Sequence, residues 1–123
     1  MRMRRILAVD DNEDILEILK LILEGYDYEV ATLANGHLLA DQIKDYRPDL
    51  ILLDIMLGDM DGRELCKMLK SNVETQDIPI IMISASHGLS ERFKPCDAPD
   101  DFLAKPFDIS ELLDKVQTQL SAA

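Results

Sequence analysis

At 123 residues, with 47% hydrophobic and 30% charged residues, the chain has the size and composition of one ordinary globular domain and not of a disordered, collagen-like or disulfide-dense protein. Its 24 acidic against 13 basic residues give a net charge of -11, which argues against direct binding of nucleic acid or an anionic membrane and favours protein or cation partners. Cys66 and Cys96 lack CxxC spacing, and "MRMRR" is followed only by "ILAV", too short for a signal core or a membrane span, so a single cytoplasmic domain over residues 1–123 is expected.

Apolar runs and helical patterns alternate along the chain. Arg5 to Val9 ("RILAV") reads as a strand. From Glu13 to Glu24, Ile15, Ile18, Leu19 and Ile22 recur at helical spacing and Gly25 follows as a stop, which predicts an amphipathic helix. "YEVATL" is a second strand. A helix is expected from Asn35 and Gly36 to about Tyr46, carrying Leu38, Leu39 and Ile43 and ending before Pro48, because the residue preceding proline disfavours helix. "DLILLD" is a third strand, running straight into Asp54. A helix from Gly62 to about Ser71 is expected to bury Leu65, Met68 and Leu69, with Asp61 as its cap and Asp59 solvated.

"IPIIMISA" (Ile78 to Ala85) is a β-branched fourth strand and "DDFLAK" a fifth. Between them "SHGLSERFKPCDAP" carries Gly88, Pro95 and Pro99 and predicts a short or irregular helix over 86–99. The last helix starts at Asp108, with Glu111 as capping-box partner and Leu112, Leu113, Val116 and Leu120 as its apolar stripe. His37 and His87 read as surface residues, and methionines such as Met56, Met60 and Met68 as packing. Strands separated by helices of this length need crossovers, which give a doubly wound parallel α/β sheet with helices on both faces.

In open parallel sheets the functional crevice lies outside the carboxyl ends of the strands. The first strand ends in Asp10 and Asp11, the third in Asp54, the fourth in Ser84 and the fifth in Lys105, so these groups are expected at one edge. Taken alone, the Asp10/Asp11 pair suits a helix N-terminus as well as a metal. Crowded carboxylates raise one another's pKa unless a cation neutralises them, and Mg²⁺ suits carboxylate and carbonyl oxygens where no His/Cys set at zinc spacing exists. A metal, an ammonium, a hydroxyl and a nucleophilic carboxylate around one position suit phosphoryl transfer, with Asp54 attacking phosphorus. A calcium loop beginning at Asp10 fails, because Ile15 and Leu21 occupy its required glycine and glutamate positions.

The chain resembles the receiver domain of two-component response regulators. "LAVDDNEDI" looks like the acidic pair, "LILLDIMLGDMDG" the phosphoacceptor segment, "IIMISAS" the strand with the switch hydroxyl and "DDFLAKPF" the Lys-Pro motif. The resemblance implies a flavodoxin-like five-stranded sheet of order 2-1-3-4-5. It also implies phosphorylation of Asp54 by a sensor histidine kinase or phosphotransfer protein, and a phosphoacceptor that signals to an output partner instead of turning over as an enzyme. Mg²⁺ would be bound by Asp11, Asp54 and the Met56 backbone carbonyl, with Asp10 assisting through water. Ser84 and Lys105 would hold the phosphoryl oxygens, and Ser84 and Phe102 would switch with phosphorylation. Ser84 and Phe102 replace the commoner Thr and a common Tyr, Gly58 stands where the family usually has proline, and Ala98 and Pro99 replace Gly-Ala. Two rivals are a receiver-fold interaction module that no longer uses phosphorylation and a Mg²⁺-dependent phosphatase. The haloacid-dehalogenase type of the latter needs an acid two positions after its nucleophile, where Asp10 is followed by Asn12.

Overall fold

The computed structural model describes residues 3–84 and 99–121. Ala85, His87, Cys96, Ala98 and the helix expected over 86–99, Pro99 apart, lie outside the described residues. In chain order the first half comprises β1 (Arg5–Val9), α1 (Glu13–Glu24), β2 (Glu29–Leu33), a 3-10 turn (Gly36–Leu38), α2 (Leu39–Tyr46) and β3 (Leu50–Asp54). The remainder comprises β4 (Met56–Leu57), β5 (Met60–Asp61), α3 (Gly62–Ser71), β6 (Ile80–Ser84), β7 (Asp101–Ala104) and α4 (Ile109–Ser121).

Five of these strands pair in parallel in the order β2-β1-β3-β6-β7, which is the expected 2-1-3-4-5 arrangement once the two short strands are set aside. Alternating side chains serve two cores. Ile6, Ala8, Leu50, Leu52, Ile81, Ile83 and Leu103 meet α1 and α4 on one face. Leu7, Val9, Ile51, Leu53, Ile80 and Met82 meet α2 and α3 on the other. The continuous apolar runs follow from this burial on both faces.

Helix ends form where side chains can satisfy free backbone groups. Asn12, and not the Asp10/Asp11 pair, caps α1, accepting from the Asp14 and Ile15 N–H groups. Asp61 caps α3, as expected, and the Asp108 carboxylate caps the last helix by accepting from the Ser110 N–H, not from its expected capping-box partner Glu111. Arg47, held before Pro48, leaves α2 in the left-handed region at φ 54°.

The core-facing stripes differ from the expected ones. Leu16, Leu19 and Leu23 of α1 are buried while Ile18 is exposed, because apolar residues cover most of this helix and the docking face is turned by one residue's rotation. In α3 the buried set is Leu65, Cys66 and Leu69; Met68 lies at the edge of that stripe and is exposed. Leu38 and Met56 are also exposed, so neither packs as the sequence suggests.

α3 begins hard against the end of β3. The Gly62 N–H donates to the Ile55 carbonyl at 2.7 Å, and a Cβ on Gly62 would overlap the Asp54 carbonyl oxygen and stand 2.9 Å from Ile55 Cα. Backbone atoms on both sides leave nothing flexible to yield. Gly62→Ala is therefore expected to destabilise the fold by about 1–3 kcal/mol, although alanine is the better helix former by about 1 kcal/mol. Urea unfolding checks this, and a neutral or stabilising result contradicts the close packing.

Candidate functional site

The sheet's alternation carries three charged groups to one place. Asp10 continues the Ile6–Ala8 series, Asp54 the Leu50–Leu52 series, and Lys105 follows Leu103 by two, so all three belong to the face covered by α1 and α4. Ladder bonds run on past the strand ends: the Asp10 N–H donates to Leu33, the Ile55 N–H to Ile83 and the Lys105 N–H to Ser84, at 3.2, 3.1 and 2.8 Å. The backbone around each charged residue is thus held by the sheet. Lys105 joins Pro106 through a cis peptide.

Asp10 and Asp54 are only 1% and 4% exposed. The Lys105 ammonium donates to Asp10 Oδ2 at 3.1 Å and to Asp54 Oδ2 at 3.4 Å. Asp10 Oδ1 also accepts from the Asn12 N–H at 2.9 Å. Asp10 thus bonds an ammonium directly, a partner beyond the water-mediated assistance expected of it. One carboxylate oxygen each from Asp10, Asp11 and Asp54 lie within 4.8 Å of one another. Asp11 is the exposed member, and its Oδ2 accepts from the Gly58 N–H at 3.1 Å.

Burial pushes the Asp54 carboxyl up to about 6, the Asp10 charge adds to the rise, and Lys105 only partly offsets it. Burial would by itself lower Lys105, but the bond to Asp10 and the Asp54 charge raise it on balance. The cluster is therefore short of positive charge. Its donors are all hard oxygens, with no soft sulfur or imidazole among them, and they fit a hard divalent cation such as Mg²⁺.

The other expected residues lie on β6, β7 and the hairpin that follows β3. Ser84 ends β6 one residue beyond Ile83, the register partner of Asp54, and is buried. Phe102 is half-buried and packs against the α2/α3 core, on the sheet face opposite Asp54. Met56 opens the β4–β5 hairpin two residues after Asp54. This hairpin is not signalled by sequence pattern, because two-residue strands are too short for alternation to be read. His37 Nε2 lies 3.2 Å from Asp59 Oδ2 and holds that carboxyl below the usual range, so Asp59 is exposed but paired. Asp61, beyond its cap, forms a bidentate pair with Arg63, Nε donating to Oδ1 and Nη2 to Oδ2.

Among the described residues no helix is long and apolar enough to cross a membrane. The response regulator receiver domain model matches residues 6–117. The DNA-binding dual master transcriptional regulator RpaA of Synechocystis is 38% identical over 122 residues, 96% of this chain and 49% of that protein. The chain spans about half the length of the curated relatives it matches. A CheY-like receiver domain protein from Methanospirillum hungatei superposes with a TM-score of 0.88 at 32% identity, covering 98% of this chain and 96% of that one. The receiver domain of the sensor histidine kinase PA1611 from Pseudomonas aeruginosa, solved with a magnesium ion coordinated in its active-site cleft, gives 0.85 at 27% identity over 98% and 99% of the two chains. With nearly the whole sheet and its acidic edge accounted for by these matches, the chain belongs to the response regulator receiver domain family.

Proposed function

We propose that the 123-residue chain is one receiver module that accepts a phosphoryl group on Asp54 from a phosphohistidine of a sensor kinase or phosphotransfer protein. The observation that carries this reading is a buried carboxylate of raised pKa, 3.4 Å from an ammonium and within 4.8 Å of two further carboxylates. Asp11, Asp54 and the Met56 backbone carbonyl would hold Mg²⁺, with Asp10 beside them. When bound, the ion supplies the positive charge that keeps Asp54 ionised and offsets charge on the transferred group.

The chain's own residues then divide the work. An Asp54 carboxylate oxygen forms the bond to phosphorus as the phosphorus–nitrogen bond of the donor breaks, and the imidazole keeps the electron pair. Lys105 and Ser84 hold the phosphoryl oxygens. Lys105 is already poised between Asp10 and Asp54, so it moves little to follow the new charge. Phe102 on β7 pairs with Met82, two residues before Ser84 on β6, so movement of Ser84 would reach it through the paired strands. That coupling biases a two-state surface toward an output partner, without turnover of a substrate and without nucleic-acid binding by this acidic chain.

A receiver-fold module that ignores phosphorylation makes the opposite prediction for a phosphoryl mimic. Mg²⁺ followed by beryllofluoride is expected to shift the NMR resonances of Ser84, Phe102 and Lys105, and to do nothing in Asp54→Asn. An unchanged spectrum in the native protein favours the unphosphorylated module.

Asp54 also sets a pH dependence in the metal-free protein. Its folded pKa of about 6 lies above the usual 3.8, so between these values the folded chain binds more protons than the unfolded one. The Asp54 contribution to stability is therefore greatest below the unfolded value and is lost as pH rises through 6. In EDTA at pH 7.5, Asp54→Asn is expected to be more stable than the native protein by roughly 2 kcal/mol, the gain shrinking as pH falls from 6 toward 4. Urea titrations across that range test it; a variant no more stable at pH 7.5 than the native protein contradicts the buried-charge account.

A further inference from the structure

Gly58 stands at a position where the family usually carries proline, and its environment gives it a use that proline lacks. Its φ is +63°, and a Cβ built there would meet nothing within 4 Å. Glycine is thus required by backbone conformation and not by space. Gly58 and Asp59 form the two-residue turn of the β4–β5 hairpin, in which Leu57 pairs with Met60 and Met56 with Asp61. Positive φ at Gly58 but not at Asp59 is the pattern of a type II′ turn, which joins antiparallel strands without splaying them.

This turn aims the Gly58 N–H at Asp11 Oδ2, 3.1 Å away and across 47 residues of chain. Asp11 is exposed, and an exposed carboxylate samples several rotamers unless a partner selects one. The hairpin giving this partner is itself fixed. Met60 Sδ and Leu57 Cδ1 lie 3.0 and 3.3 Å from the place a Cβ on Gly36 would occupy, and His37, the next residue, pairs with Asp59 at 3.2 Å. The same hairpin begins at Met56.

We propose that Gly58 is a positioning residue for the cation site: its N–H, presented by a clamped type II′ turn, holds the Asp11 carboxylate beside Asp54 and the Met56 carbonyl. This rests on the reading of Asp11, Asp54 and Met56 as Mg²⁺ ligands. Partners that orient a metal's ligands commonly change affinity 10- to 100-fold when removed. Proline at 58 has no N–H and forbids the positive φ, whereas asparagine keeps the N–H and, among residues with a side chain, is one of those that adopt positive φ at least cost.

Calorimetric Mg²⁺ titration of the unphosphorylated native protein, Gly58→Pro and Gly58→Asn tests this, with thermal melts showing that each variant is folded. Gly58→Pro is expected to bind at least tenfold more weakly and Gly58→Asn within threefold of the native protein. In metal-free protein, Asp11→Ala is expected to move the Gly58 amide proton upfield by more than its hairpin neighbours Leu57 and Asp59. Gly58→Pro binding within twofold of the native protein, a Gly58→Asn variant that melts at the native temperature yet binds as poorly as Gly58→Pro, or a Gly58 amide indifferent to Asp11→Ala overturns the positioning role while leaving the site reading intact. A native protein that binds no Mg²⁺ overturns both.

Discussion

Two carboxylates buried side by side are held by one ammonium. Asp10 and Asp54 would repel in the low-dielectric end of the sheet, and Lys105, reaching both, makes their coexistence possible. One positive charge against Asp10, Asp11 and Asp54 still leaves the cluster net negative. Burial first, and the Asp10 charge after it, raise the Asp54 carboxyl, and the uncompensated carboxylates give the site room for a further cation. The three strand ends supplying these groups are fixed by ladder bonds, so the charges cannot relax by moving apart.

The rest of the fold serves this arrangement. Leu50 to Asp54 are buried on both faces, which anchors the strand that carries Asp54 to the edge. Gly62 lets α3 start against the Asp54 backbone, and the hairpin between them presents Met56 and Gly58 to the same edge. Far from the site, Lys70 bonds the Ile78 carbonyl and Asp100, tying the end of α3 to the starts of β6 and β7. β6 is thereby held at its start and pairs with β3 on one side and β7 on the other, with Ser84 opposite Ala104 and Met82 opposite Phe102.

Much of this was legible in sequence because it depends on strong local signals. Five apolar runs separated by helix-length segments define the sheet, and each ends in a polar residue that the crevice rule gathers at one edge. The direct Lys105–Asp10 contact follows from side-chain parity within β1 and β7 but needs the register to be known. The facing of α1 was ambiguous because seven of its positions are apolar, so periodicity alone cannot choose between Ile18 and Leu16. The hairpin was illegible for a different reason. Its strands are two residues long, and the roles of Gly58 and Gly62 lie in a φ angle and a backbone approach that composition does not encode.

In the proposed function the carboxylate at the end of β3 is the group that carries phosphorus. Intact-mass and peptide-level mass spectrometry after incubation with acetyl phosphate and Mg²⁺ tests it most directly. A single phosphoryl adduct on Asp54 is expected, lost when EDTA replaces Mg²⁺ and absent in Asp54→Asn. An adduct that persists undiminished in Asp54→Asn, or that maps to another residue, contradicts it.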